Sequence, residues 1–412
     1  MSATGAYRML GESASAADVL PAPANSGIEH IVVVMMENRS FDHFLGWVPG
    51  ADGKQAGLEY VDRYGVAHAT HHLDIFASCG FEDPDHSYEG GRVQLNRGLC
   101  NGWLRSGLND SLSTGYYEQA DLSFLGSAAT QWTTFDRYFS ATMAETYPNR
   151  FYMHAGQTDR LHNGDIPLTT PFPHTTIWDR LKAKGVTGKY YYSDAPFAFL
   201  LGTHAPPVGL FADFLADAAA GTLPAGSYVD PRFNDEGAGT SGDDHPHADI
   251  RAGEDFLNQV YDAVRLGPGW EKTVLVINYD EWGGFFDHVR PRHAHDVAKK
   301  TSLRGFRVPC LLISPLARRS YVSHVTYDHT SILKMIEWRY GLAPLTPRDK
   351  YANNIAAALD FTNPPNTASP TYTVPPFVSQ GCSAADQESG PEAAEWSGLK
   401  KVAERHGWEI PR

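Results

Sequence analysis

Long apolar runs punctuate this chain, and the two sharpest of them end in the same way. Ile28-Glu29-His30-Ile31-Val32-Val33-Val34-Met35-Met36 is cut off by Glu37-Asn38-Arg39-Ser40-Phe41-Asp42. About 240 residues later Thr273-Val274-Leu275-Val276-Ile277-Asn278-Tyr279 is cut off by Asp280-Glu281-Trp282-Gly283-Gly284. Runs of this length with little alternation predict parallel strands buried on both faces. A third such run spans 308–314, with Cys310 inside it.

Helical spacing appears between these strands. Phe256, Leu257, Val260 and Val264 recur at helical intervals over 252–266, just before the second run. Further helices are expected at 124–130, at 176–184 with Gly185 as the stop, at 211–220, and at 331–340 before Gly341. Strands are expected at 133–139 and 188–193. Pro148 suits the first turn of a helix that continues through His154, which places Thr146 at or just before that helix's N-terminus. Strands alternating with helices predict an α/β fold, a central mostly parallel sheet flanked by helices.

The same pattern divides the chain. Residues 1–27 are rich in Ala, Ser and Pro and read as an irregular arm, and 28–360 read as one large domain. Within it, 48–130 is loop-dominated, with many Gly and Asn and scattered aromatics, the signature of a substrate loop or lid. Residues 361–412, rich in Pro, Thr, Ser and Glu, read as a tail that packs on the domain and closes with a helix near 393–406.

Composition narrows the partners. A 412-residue chain that is 42% hydrophobic can bury a sizeable core. Its formal charge of -14 argues against nucleic acid, or an anionic bilayer, held by electrostatics alone. No obligate protein partner is evident. The four cysteines lack zinc or CxxC spacing; Cys310 reads as core, and Cys79 and Cys100 can pair if the protein is exported. No run approaches a membrane span and no leader pattern opens the chain, so the chain reads as soluble, cytoplasmic as given or secreted or periplasmic if a leader has been removed.

Candidate chemistry gathers at the two strand ends. Glu37, Asn38, Asp280 and Glu281 together supply the oxygen donors that a divalent cation needs. Taken singly, each pair is ordinary cap or turn chemistry; coming twice after long buried strands, they point to a metal site. Thr146 is the nucleophile candidate, its competing role being an N-cap. His86, His245, His247 and His288 lie in Asp- and Gly-rich loops, where an imidazole is available for proton transfer. His154 reads as a structural histidine, and His68, His71 and His72 as surface residues.

Four motifs carry a family resemblance. Glu37-Asn38-Arg39-Ser40-Phe41-Asp42, Thr146-Tyr147-Pro148-Asn149-Arg150, Asp280 through Val289, and Gly305-Phe306-Arg307-Val308-Pro309 resemble the bacterial and plant phosphoesterase family, which holds non-specific phospholipases C and acid phosphatases. The resemblance implies an alkaline-phosphatase-like fold and a metal-assisted covalent mechanism. It implies that Glu37, Asn38, Asp280 and Glu281 bind the metal (Ca, Mg, Mn or Zn) and that Thr146 takes the phosphoryl group. It further implies that His86, His245 and His288 stabilise oxyanions or protonate the leaving alkoxide, with Asp287 orienting a neighbour.

The expected activity is phospholipase C-like cleavage of a phospholipid to diacylglycerol and a phosphorylated headgroup, with peripheral membrane contact possible and the aromatics of 81–124 caging a choline-like cation. The alternatives are an acid phosphatase for monoesters, a phosphodiesterase for a small metabolite, and a binding protein without turnover.

Overall fold

The first two apolar runs become neighbouring strands at the centre of one sheet. In the computed structural model, which describes residues 20–233, 236–387 and 394–411, this sheet contains β1 (His30–Met36), β2 (Thr133–Phe135), β3 (Gly188–Tyr192), β4 (Val208–Leu210), β5 (Gly226–Val229), β6 (Thr273–Tyr279), β7 (Cys310–Ile313) and β8 (Tyr321–Ser323). Their order is β8-β2-β7-β6-β1-β5-β3-β4. All neighbours are parallel except β7, which runs antiparallel to both β6 and β2. The fold is therefore α/β with a mostly parallel central sheet.

The helices are α1 (Phe41–Leu45), α2 (Tyr88–Leu95), α3 (Leu125–Gln131), α4 (Thr146–Ala155), α5 (Ile177–Ala183), α6 (Phe211–Ala220), α7 (Ile250–Leu266), α8 (His329–Tyr340), α9 (Pro347–Tyr351) and α10 (Glu395–Arg405). Helix α4 packs against α8, and α6 against α7. Strand β6 is buried along its whole length and β1 everywhere except His30. Full burial on both faces is why these segments show no polar alternation.

Strand β5 escapes the sequence pattern. It contributes only Gly226-Ser227-Tyr228-Val229, yet it pairs with β1 on one side and β3 on the other. Four residues with one β-branched side chain carry too little periodicity to be read, and the pairing partners decide the matter. Helix α2 is a similar case, an eight-residue element inside the loop-dominated region 48–130, started by Ser87, whose side chain accepts from Gly90 N–H.

One expectation is corrected. Cys79 pairs not with Cys100 but with Cys382, across 303 residues of sequence. Helix α2 separates the first two cysteines and carries Cys100 into a buried pocket beside Trp103 and Phe286, where its N–H donates to Leu95 O. The tail passes Cys79 instead, a proximity without any sequence signal. Cys310 lies in the core. Most of the N-terminal arm, 1–19, lies outside the described residues. Tail residues 361–387 carry neither helix nor strand, and α10 closes the chain with Trp396 and Leu399 buried.

Candidate active site

The register of β1 on β6 assembles the site. Met36 lies opposite Tyr279, so Glu37 and Asp280 emerge side by side at the C-terminal ends of two parallel strands. Asp280 N–H donates to Met36 O at 3.0 Å, and Asn38 N–H to Asp280 Oδ1 at 3.2 Å. The chain turns sharply at Asn38 through a left-handed backbone conformation (φ 58°), which asparagine tolerates better than most residues. Gly283 packs against that turn; a Cβ there would stand 2.1 Å from Asn38 O.

Thr146 opens α4 and faces the same point. Its hydroxyl donates to Glu37 Oε2 at 3.2 Å. The other carboxylate oxygen, Oε1, accepts from Arg150 Nε at 2.9 Å and also from Arg150 Nη2. Arg150 sits one turn after Thr146 and reaches Asp230 Oδ1 at 3.2 Å and Met35 O at 3.2 Å as well. Burial works against its charge, but Glu37, Asp230 and Asp280 hold the guanidinium well above its ordinary pKa.

The electrostatics describe a place short of positive charge. Burial pushes the Glu37 carboxyl well up, Arg150 opposes that, and Asp280 and Asp243 add to it. Burial likewise raises Asp280 and Glu281, and raises Asp230 to about 7. Asn38 Oδ1, Asp280 Oδ2 and Glu281 Oε1 are buried oxygens with no hydrogen-bond partner among the described residues. Crowded buried carboxylates with unpartnered oxygens are costly without a cation. Asn38, Asp280 and Glu281 thus offer free oxygens to a hard divalent ion, whereas both Glu37 oxygens are taken by Arg150 and Thr146. Among the described residues, the His and carboxylate ligand atoms that converge within 4.8 Å are those of Asp83, His86 and His245 and those of Asp42, Asp287 and His288.

Two imidazoles border this group. His86 Nε2 lies 3.4 Å from Asn38 Nδ2, and the His86 and His245 rings are 5.8 Å apart, edge to face. Nδ1 of His86 faces Pro84 O at 2.9 Å and Nδ1 of His245 faces Pro246 O. A carbonyl only accepts, so Nδ1 carries the hydrogen in each neutral ring and Nε2 presents its lone pair. Burial, with His86 nearby, holds His245 well below the usual imidazole range. Asp83, His86 and His245 place a possible ligand atom each within 4.8 Å of one another, and His245 Nε2 also lies 3.9 Å from Glu236 Oε2.

His288 and Asp287 occupy a different network. His288 Nδ1 meets Asp42 Oδ2 at 2.5 Å and its Nε2 meets Asp52 Oδ1 at 3.1 Å. Arg307, fully buried, donates to Asp287 Oδ1 at 3.0 Å and to Asp42 Oδ1 at 2.9 Å. Asp42 N–H in turn donates to Asp287 Oδ2 at 3.3 Å, so this network braces the start of α1, just beyond the Asn38 turn. His247 Nε2 donates to Phe81 O at 2.6 Å, His154 is buried among Trp178, Phe197 and Tyr228, and His68 and His72 are surface residues paired with Asp62 and Asp121.

Several site residues had no role assigned from the sequence. Arg150 stands in the Thr146 motif, and its spacing of four put it on the Thr146 face of a helix. Asn163 accepts from Tyr147 N–H at 2.7 Å and donates to Glu395 Oε2 at 2.6 Å, tying the start of α4 to α10. The Phe233 ring lies 4.6 Å from the Arg150 guanidinium and stacks on Trp396 at 3.8 Å. In the first turn of α4, Tyr147 N–H is committed to Asn163 Oδ1 and Pro148 has none to give.

A mostly parallel α/β sheet that gathers carboxylates, an amide, imidazoles and a hydroxyl at its strand ends has the layout of a catalytic site. The family model of the Phosphoesterase family matches residues 28–343. The chain belongs to this family, hydrolases acting on phosphoric ester bonds.

Among its relatives, non-specific phospholipase C1 of Arabidopsis thaliana is 31% identical over 79% of this chain and 69% of its own length. Non-hemolytic phospholipase C of Pseudomonas aeruginosa is 29% identical over 89% of this chain, which spans 63% of that protein. Phospholipase C B of Mycobacterium tuberculosis is 31% identical over 86% and 82%. A solved Vibrio parahaemolyticus protein of the alkaline phosphatase superfamily aligns at TM-score 0.44 and 11% identity over 95% of this chain and 91% of that one.

Proposed function

We propose that this protein is a metal-dependent phosphodiesterase of the phospholipase C type, working through a phosphothreonine at Thr146. The observation that carries this is Thr146 Oγ1 at 3.2 Å from Glu37 Oε2, beside three unpartnered buried oxygens of Asn38, Asp280 and Glu281. The phospholipase C names of the plant, Pseudomonas and Mycobacterium relatives favour a phospholipid diester over a monoester.

In this reading Glu37, Asn38, Asp280 and Glu281 hold a divalent cation. When bound, it supplies Lewis-acid polarisation of the phosphoryl oxygens and lowers the pKa of the attacking hydroxyl. Arg150 fixes the Glu37 carboxylate, which orients the Thr146 hydroxyl. Thr146 Oγ1 forms the new bond to phosphorus and the bond to the glycerol oxygen breaks. His86 and His245, each with Nε2 turned away from its carbonyl partner, take a proton there and return it to the leaving alkoxide. Water then releases the phosphorylated headgroup and regenerates Thr146. His288 and Asp287, through Asp42 and Arg307, keep the Asn38 turn in place.

The test is turnover of metal-replete protein on phosphatidylcholine vesicles and on p-nitrophenyl phosphate, beside Thr146→Ala. Preference for the lipid, lost in the variant by at least ~10³-fold, supports the reading. Near-wild-type activity of Thr146→Ala sinks the nucleophile, and preference for the monoester moves the protein to the phosphatase alternative.

A further inference from the structure

The net charge of -14 conceals a local reversal. In residues 290–304, Arg290, Arg292, Lys299, Lys300 and Arg304 face a single carboxylate, Asp296, and that one is spent on the buried Arg348 at 2.9 Å. Arg290, Arg292, Lys299 and Lys300 are exposed, and among the described residues none of them forms an ion pair. Some cations elsewhere on the surface are paired, as at Lys272 with Glu29 and Lys189 with Asp217.

The same face exposes apolar side chains. Six of the twelve strongly exposed large hydrophobics of the described residues fall between 61 and 108, including Tyr64 at 84%, Leu99 at 67% and Leu108 at 68%, and a seventh, Val297, lies within the basic loop. They stand on a two-stranded hairpin and its turn (Glu59–Val61 with Ala67–Ala69), on α2 itself (Val93), on the turn that follows α2 (Leu99) and just beyond Trp103–Arg105 (Leu108).

Contacts knit these three segments together. Arg63 at the hairpin tip donates to Gly107 O at 2.5 Å. Gly98 lies flat against the Arg290 side chain, where a Cβ would come within 2.5 Å of Nε. Tyr88 Oη donates to Lys300 O at 3.1 Å. The face also adjoins the active site, because α2 begins two residues after His86 and its Gly91 packs on Trp282, the residue after Glu281.

Exposed cations without partners attract an anionic surface, and tyrosine, leucine and valine tips beside them enter its headgroup layer. We propose that the hairpin, the turn after α2 and loop 290–300 form one face that docks the protein on anionic phospholipid bilayers, with the active-site rim turned to the lipid. Its consequence for turnover rests on the phospholipase reading; the docking itself does not.

The full chain carrying Thr146→Ala is titrated with phosphatidylcholine vesicles with and without phosphatidylglycerol, at low and high salt. Binding should depend on phosphatidylglycerol and weaken with salt. Neutralising Arg290, Lys299 and Lys300 to Ala together should weaken it by about 100-fold, about fivefold per cation. Tyr64→Ser with Leu99→Ser, charges intact, should also weaken it. Equal binding to both vesicle types, or no effect of the charge variant, overturns the proposal. An unaffected double Ser variant overturns it as well, because the face then reads polyanions rather than lipid. With Thr146 present, turnover of a short-chain phosphatidylcholine below its micelle concentration should be unchanged by either surface variant. If the wild-type protein docks on vesicles but cleaves no phosphatidylcholine, the phospholipase reading fails while the docking face stands.

Discussion

Arg150 and Glu37 meet in a fully buried pair, Arg150 Nε donating to Glu37 Oε1 at 2.9 Å while the other carboxylate oxygen accepts from Thr146. One guanidinium thus sets the carboxylate that sets the hydroxyl. Breaking a buried pair strands an uncompensated charge at a cost of about 3–5 kcal/mol. Lysine cannot reproduce the two-pronged contact.

Arg150→Lys should therefore lower both stability and turnover, with kcat falling about 100-fold or more while KM changes little. Chemical denaturation and steady-state kinetics check both; wild-type kcat with lowered stability would make Arg150 a structural residue only.

Asp280→Asn should lower bound metal, read by elemental analysis, together with the rate. Chelator treatment of the wild-type protein should abolish turnover, and a divalent ion should restore it. Unchanged metal content in the variant would remove Asp280 from the donor set.

Trp396 supports the site from behind, stacked on Phe233, which covers the Arg150 guanidinium. Trp396→Ala should cost about 3–5 kcal/mol, the usual loss for a buried large aromatic. It should also reduce kcat, with Trp396→Phe recovering most of it. Stability loss without any change in kcat would confine α10 to packing.

His288 gives a pH signature. Burial works against its charge, but the Asp42 carboxylate outweighs this and raises the imidazole above its ordinary value. A histidine with a raised folded pKa stabilises the fold fully below its unfolded pKa of about 6.5, and that stabilisation is lost as pH rises through the folded value. Tm should thus decline from below pH ~6.5 to above the raised folded value in the wild type, and the decline should be shallower in His288→Asn. An equal Tm difference between the two proteins at every pH would mean that His288 does not titrate in that window.

Much of this is legible in the sequence. The two apolar runs and their polar endings mark β1 and β6 and the Glu37, Asn38, Asp280 and Glu281 cluster, because a strand buried on both faces needs an apolar residue at every position. Pro148 and the spacing after it mark α4 with Thr146 at its start. The helices at 211–220 and 250–266 follow from periodicity, which reports one buried face wherever the element is long.

What the tertiary structure alone decided is which distant segments meet. Pairing Met36 with Tyr279 puts Glu37 beside Asp280 across some 240 residues, and hydrophobic runs carry no label for their partner. Strand β5, four residues long, exists because β1 and β3 leave an open edge on either side of it. Cys79 finds Cys382 because the tail crosses that loop. His288 and Asp287 join Asp42, Asp52 and Arg307, although the nearby Asp280 suggested one shared site. Periodicity is local and fixes elements. Pair identity is set by packing over the whole chain, which residue order expresses only once it has folded.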